Sequence, residues 1–293
     1  QTLLDPEHKL AFPSGSTLRG AARDWSGVAV SADGHRLVAC VFGGGIYTSA
    51  DGGVSWTERA SARDWRVVCS CAEGRKLAAA EYQGPIWVSD DFGSTWRATS
   101  TPHQAWTSLA CSASGDRLLA AAYGTPLLFS TTFGENWSLL ESARCWHAVA
   151  SSADGAQLIA AELFGALHVS LDAGKTWRAR TSNRSWSAVA CSSDGAKIVA
   201  SAFDGRIHTS SDFGRNWTPR QRESCWWRVA SSADGQRLLA VERWGHLHLS
   251  DDGGATWRQR ELGPRWESVS ISASGHKWIA ASAANRSQSL FVS

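Results

Sequence analysis

The sequence contains no methionine, and only three tyrosines and seven prolines among 293 residues. Charge is sparse as well. Charged residues make up 19% of the chain and the net charge is +2, against about a quarter charged in ordinary soluble domains. A balance so near neutral excludes the basic footprint that nucleic acid or an anionic lipid surface calls for. No apolar run approaches the ~18 residues of a membrane-spanning helix, and no segment keeps a helical period. The seven cysteines are an odd number, so they cannot all pair within the chain. They read as small buried hydrophobes, and the Cys69/Cys71 pair lacks the second pair a zinc site needs. No nucleophile elbow, P-loop, His-Glu-x-x-His or Gly-rich dinucleotide turn occurs, so neither a cofactor nor a metal is expected. A chain that opens at Gln1 without a methionine is expected to have lost a leader, which points to export or an organelle lumen.

What is abundant is tryptophan, 17 in all. Trp25, Trp65, Trp106, Trp146, Trp186, Trp226 and Trp266 recur every 40 or 41 residues. Trp56, Trp96, Trp137, Trp177, Trp217 and Trp257 follow the same step. A fixed period of this length marks an array of identical supersecondary units. Within a unit, short apolar runs are separated by Asp-Gly and Asp-Phe-Gly turns, as in the stretch from Trp186 to Arg220. Asp-Gly between apolar runs is a hairpin signal, so each unit reads as four strands. The expected fold is all-β: one seven-bladed β-propeller over 1–293, with repeats starting near 25, 65, 106, 146, 186, 226 and 266. The last unit lacks a fourth strand. Residues 1–24, with a worn turn and strand at Phe12–Arg19, are expected to supply it and close the ring, removing a free edge.

The turn before the second tryptophan series reads Ser-x-Asp-x-Gly-x-x-Trp. It stands as Ser49/Asp51/Gly53/Trp56, Ser89/Asp91/Gly93/Trp96, Ser170/Asp172/Gly174/Trp177, Ser210/Asp212/Gly214/Trp217 and Ser250/Asp252/Gly254/Trp257. Thr132 replaces the aspartate in the third unit. The motif is similar to the Asp-box, or bacterial neuraminidase repeat. Its carboxylate can accept backbone N–H groups of its own turn, and its glycine tolerates positive φ, so it is read as a structural staple. Sialidases share the turn, but their three converging arginines and Tyr–Glu nucleophile pair have no residue-by-residue match here. In organisation the chain resembles the photosystem II assembly factor and sortilin-like propeller group. That resemblance implies a single propeller with an Arg-rich face that binds protein rather than turning over substrate, and a thylakoid lumen as compartment.

In a propeller the Asp-Gly turns and Asp-boxes share one face, and the other carries what varies between units. A rigid ring with variable loops is how such folds present a ligand surface. The varying positions nominate a mouth: Arg66, Glu81 and Tyr82 from the second unit, His147 and Glu162 from the fourth, and Glu267 from the seventh. The sixth unit departs furthest from its own repeat, with Trp227, Arg228, Glu242, Arg243 and Trp244. Trp227 and Trp244 are expected at an exposed rim, where Trp and Arg form binding hot spots. Glu81, Glu162 and Glu242 share one repeat position; they are either an acid–base set or ion-paired with Arg66, Arg228 or Arg243. His168, His208 and His248 also share a position and read as packing residues rather than metal ligands. The function expected is a non-catalytic binding or scaffolding propeller for a protein partner or larger complex. The alternative is a carbohydrate-binding or carbohydrate-cleaving propeller with a glycan ligand.

Overall fold

The computed structural model describes residues 23–262, 265–282 and 290–293, with backbone alone at 261–262. Among the described residues every regular element is a strand. The fifth unit shows the plan. Strands Arg184–Cys191, Ile198–Ala202, Ile207–Ser210 and Thr218–Pro219 pair antiparallel in that order. In the first and third units the fourth strand runs straight on into the next unit's first, as Thr57–Ser70 and Ser138–Ser151. The seventh unit shows three strands, Trp266–Ile271, Trp278–Ser282 and Leu290–Val292. Its fourth place and residues 1–22 lie outside the described residues, and with them the expected closing strand.

The units nevertheless form a closed ring. Ala32 N–H donates to the Ala72 carbonyl, Ala72 to Ala113, Ala113 to Ala153, Ala153 to Ser193, Ser193 to Ala233, Ala233 to Ala273, and Ala273 back to Ala32, at 2.7–3.0 Å. Seven links return the chain to its starting point, so the count of seven is fixed by hydrogen bonding as well as by period. Seven hydrophobic clusters fill the seams, each shared by two neighbouring units. The seam between the first and seventh, for example, joins Trp25 and Tyr47 to Ile279 and Leu290. All seven opening tryptophans are among the largest fully buried side chains. The second strands face the seams with alanine, as at Ala79, Ala160 and Ala200, because the neighbouring sheet comes too close for anything larger.

Each Asp-box repeats one hydrogen-bond pattern. In the second unit Ser89 Oγ donates to Asp91 at 2.8 Å and accepts from the Gly93 N–H at 2.9 Å. Asp91 accepts the Thr95 N–H at 2.8 Å, and the Trp96 indole N–H reaches the Gly93 carbonyl at 3.0 Å. Gly93 has φ +84°, where a side chain is strained. In the third unit Thr132 Oγ1 stands in for the carboxylate and takes the Asn136 N–H at 2.9 Å. Backbone hydrogen bonds of 2.8–3.0 Å tie each box to the first hairpin of its unit, such as Phe92 N–H to the Arg75 carbonyl. One face of the ring is therefore built from near-identical, self-satisfied turns.

Candidate functional site

The first strands of the seven units surround a central channel of about 400 Å³. At its end opposite the Asp-boxes the varying residues collect. Arg66, His147 and Arg228 line the channel there. Trp227 leans across the ring from the sixth unit: its ring centroid lies 5.7 Å from His147 of the fourth unit and 6.4 Å from Phe203 of the fifth. Two guanidiniums cover it, Arg243 at 4.0 Å and Arg228 at 4.3 Å from the ring centroid, a cation–π arrangement that favours both charges. Trp227 is only 7% exposed. The expectation of an exposed rim residue fails for it: Trp227 is a plug in the mouth, because its neighbours on two other units fold over it. Trp244 is the exposed one, at 60%, with Arg243 and Arg265 at 5.5 and 5.2 Å from its ring centroid.

The mouth is cationic. Arg66, Arg228, Arg243 and Arg265 gather there, and the carboxylate that acts on Arg228 and Arg243 is Glu267, held by Arg265 at 2.6 Å. Burial, and then Arg66, push the Arg228 guanidinium down to about 10 against the pull of Glu267. Burial and the charges of Arg228, Arg66 and Arg243 push His147 down to about 3, so its imidazole is neutral at ordinary pH. Tyr123 stacks on it with Oη 2.5 Å from Nδ1. Burial raises the tyrosine, which therefore keeps its proton. His147 Nε2 has no partner.

An aromatic rim surrounds these charges. Phe42, Tyr82, Tyr123 and Phe203 occupy one repeat position at the end of the second strand. Phe42 and Tyr82 lie 6.2 Å apart and are each 40% exposed. Phe164 is exposed one position further on. Tyr123, Phe42, Phe203, Phe164 and Arg265 were not in the nominated set. Their shared repeat position, or for Arg265 its place directly before an opening tryptophan, is the signal that finds them.

The three glutamates lie elsewhere. Glu81, Glu162 and Glu242 sit directly opposite Trp65, Trp146 and Trp226 in the antiparallel register. Residues so opposed project to the same side of a sheet, and these tryptophans fill the seams. Glu81 accepts from the Trp87 indole at 3.1 Å and lies 3.6 Å from Arg63. Glu162 is 3.5 Å from Arg144 and from His168. Glu242 accepts from Arg222 and Ser224, each at 2.8 Å. They are ion-paired, but with Arg63, Arg144 and Arg222 rather than with Arg66, Arg228 or Arg243, and they do not form an acid–base set at the mouth. His168, His208 and His248 pack edge-on against Trp146, Trp186 and Trp226 at 5.1, 5.4 and 4.9 Å. Of the cysteines, Cys40, Cys69 and Cys71 are buried, whereas Cys145 is exposed and not core filler.

The mouth therefore unites Arg66, His147, Trp227, Arg228, Arg243, Trp244 and Glu267, with Tyr82 on its rim, and leaves out Glu81, Glu162 and Glu242. Such a surface offers cations and flat apolar faces side by side.

Comparison with known proteins agrees with the fold. The BNR-Asp box repeat family model matches residues 86–99, one turn and its flanking strands. YCF48 from Cyanidioschyzon merolae superposes with a TM-score of 0.72 at 14% identity, over 94% of this chain and 97% of that one. YCF48 bound to D1 peptide superposes with a TM-score of 0.68 at 14% identity, over 90% and 91%. No curated protein matches the sequence. The chain therefore has a β-propeller fold similar to that of YCF48, with a turn that matches the Asp-box repeat. No helix among the described residues is long and apolar enough to cross a membrane.

Proposed function

We propose that this protein is a non-catalytic binding propeller that docks a protein partner on its mouth face. An extended acidic segment lies across Arg66, Arg228, Arg243 and Arg265, with apolar side chains against Trp244 and the aromatic rim. The observation that carries this reading is Trp244, 60% exposed and flanked by two guanidiniums. Together with the exposed Phe42, Tyr82, Tyr123 and Phe164 it forms grouped apolar surface, which marks interaction sites, and Trp and Arg dominate binding hot spots. The likeness to a propeller solved with a peptide bound supports a peptide-sized ligand.

The test is a random-peptide display selection against the whole chain, followed by affinity measurement on single peptides. Selected peptides are expected to be rich in Asp or Glu next to an aromatic or aliphatic residue. Their affinity is expected to drop when Trp244 is replaced by alanine or Arg66 by glutamine. Enrichment of neutral or basic peptides, or affinities indifferent to both substitutions, would reject the reading.

A further inference from the structure

Three seams of the ring contain a built-in carboxylate, and a fourth has its surroundings without the acid. In the fourth unit Glu162 stands between Arg144 Nη1 and His168 Nε2, 3.5 Å from each. In the sixth, Glu242 takes Arg222 and Ser224 at 2.8 Å and the His246 N–H at 3.1 Å, with His248 Nε2 at 3.6 Å. The repeat equivalents in the fifth unit are Arg184, which precedes Trp186 as Arg144 precedes Trp146, then Ala202 and His208. The register is the same, with Ala202 opposite Trp186 and His208 opposite Ala200.

The backbone also keeps the space for an acid. Three residues after each glutamate stands a glycine whose open side that carboxyl group fills. A Cβ at Gly165 would meet Glu162 Oε2 at 2.2 Å, and one at Gly245 would meet Glu242 Oε2 at 2.1 Å. The fifth unit retains the glycine, but the nearest atoms to a Cβ at Gly205 all belong to Ala202, beginning with its Cβ at 2.9 Å. The space left open belongs to a cavity of about 560 Å³ bounded by Arg180, Arg184, Gly205, Arg206 and His208.

The groups around it are short of acceptors. His208 is 7% exposed and its Nε2 has no hydrogen-bond partner; the buried Nε of Arg180 has none either. Arg184 has no ion-pair partner among the described residues. Two carboxylates stand on the wall, and both are engaged: Asp204 accepts from the Cys225 thiol at 3.1 Å, and the exposed Glu223 lies 3.6 Å from Arg206. Burial, then Arg184 and Arg206, push His208 down to about 4. At His168 and His248 a glutamate opposes that push; at His208 none does.

We propose that the fifth-unit cavity binds an external carboxylate, which takes the place of the missing glutamate between Arg184 and His208. Guanidinium and carboxylate form two parallel hydrogen bonds, and the cavity leaves room behind them for several further heavy atoms. The carboxylate comes from a free aliphatic acid or from an acidic side chain of a peptide. The site is separate from the mouth and does not depend on the docking reading above.

The test is calorimetric and NMR titration of the whole chain with acetate, glutarate and a capped single-glutamate peptide, with chloride and sulfate as controls. Saturable carboxylate binding is expected, together with a rise in the His208 pKa. Ala202→Glu supplies the acid from the chain itself and is expected to weaken binding more than 10-fold while the protein stays folded. Binding of the free acids assigns the source to a small molecule, and binding of the peptide alone assigns it to a protein. Should Ala202→Glu fail to fold, Arg184→Gln and His208→Gln serve instead, each with a similar expected loss. The proposal is overturned if no carboxylate saturates, if chloride or sulfate binds as well as the acids, or if the variants bind like the parent chain.

Discussion

The two faces of the ring follow opposite rules. On the Asp-box face the turns reproduce one another almost atom for atom, and each carboxylate is satisfied inside its own turn. On the mouth face the same repeat positions hold Ser26, Arg66, Thr107, His147, Ser187, Trp227 and Glu267, and several polar atoms there lack partners, among them His147 Nε2, Trp227 Nε1 and Arg243 Nε. A turn that recurs and satisfies itself contributes to folding. A surface that varies between copies and holds unpaired donors and bare aromatic faces is available to something outside the chain. Internal repetition thus separates the turns that specify the fold from the positions proposed to receive a partner, without any second sequence.

The sharpest way to break this comparison begins at the ring's closure, which we propose is completed by residues 1–24. Deleting residues 1–20 removes a strand of about four backbone hydrogen bonds at about 1 kcal/mol each. The expected fall in melting temperature is roughly 10 °C, at about 2–4 °C per kcal/mol for a chain of this size. An unchanged melting curve would refute the proposed closure.

Exchanging tryptophans between faces comes next. Trp257→Ala on the Asp-box face removes a packed indole and its hydrogen bond to the Gly254 carbonyl, with an expected loss of about 3 kcal/mol of folding stability. Peptide affinity of the folded fraction is expected to be unaltered. Trp244→Ala is expected to reverse the pattern, with about 2 kcal/mol lost in binding and little in stability. Denaturant melts and peptide affinities on both variants decide it; identical behaviour of the two would erase the distinction between the faces.

Acid separates the buried histidines of the mouth and of the fifth-unit seam from the Asp-boxes by pH. His147 is held at about 3 and His208 at about 4, below their ordinary 6.5. The folded state therefore binds fewer protons than the unfolded state in that window, and stability falls as pH drops below 6.5. The Asp-box carboxylates Asp51, Asp172, Asp212 and Asp252 are held at about 2, chiefly by hydrogen bonds from the residue four places on. Their contribution is complete above about 4 and is lost as pH falls towards 2. Chemical denaturation along pH is expected to show both stages, and His147→Gln to reduce the upper one only.

The smallest effect tests the staple itself. In the fifth unit Asp212 takes both the backbone and the side-chain N–H of Asn216, at 2.9 and 2.6 Å. The third unit has the same asparagine, Asn136, facing Thr132. Thr132→Asp is expected to add about 0.5–1 kcal/mol, read from denaturant midpoints; a loss of stability would show that the box pattern does not transfer between units.

Much of the fold was legible because it is local and periodic. The tryptophan step, the Asp-Gly turns and the Asp-boxes each need only a few neighbouring residues to specify them. The site was legible in part. Arg66, His147, Arg228 and Arg243 reach the mouth as expected, since they follow an opening tryptophan or end a second strand. Trp227 was misjudged because residues of other units fold over it, which no local signal shows; the glutamates were misplaced for a different reason. A bulge follows every opening tryptophan, as between Trp226 and Arg228, and the extra residue breaks the alternation that would assign a side chain to a face. Register supplies what counting cannot: Glu162 opposes Trp146 and so enters the seam. The open space beside Gly205 was likewise hidden, because only the repeat alignment combined with the shape of the seam shows that Ala202 leaves it unfilled.

The central claim is that the varied face, not the repeated one, receives the partner. Hydrogen exchange of the whole chain, with and without a selected acidic peptide, tests it most directly. Slowed exchange is expected in the loops at 42–45, 82–85, 123–126 and 243–245, with the Asp-box turns unchanged. Protection confined to the turns at 49–56, 89–96 and 250–257, with none at the mouth, would contradict it.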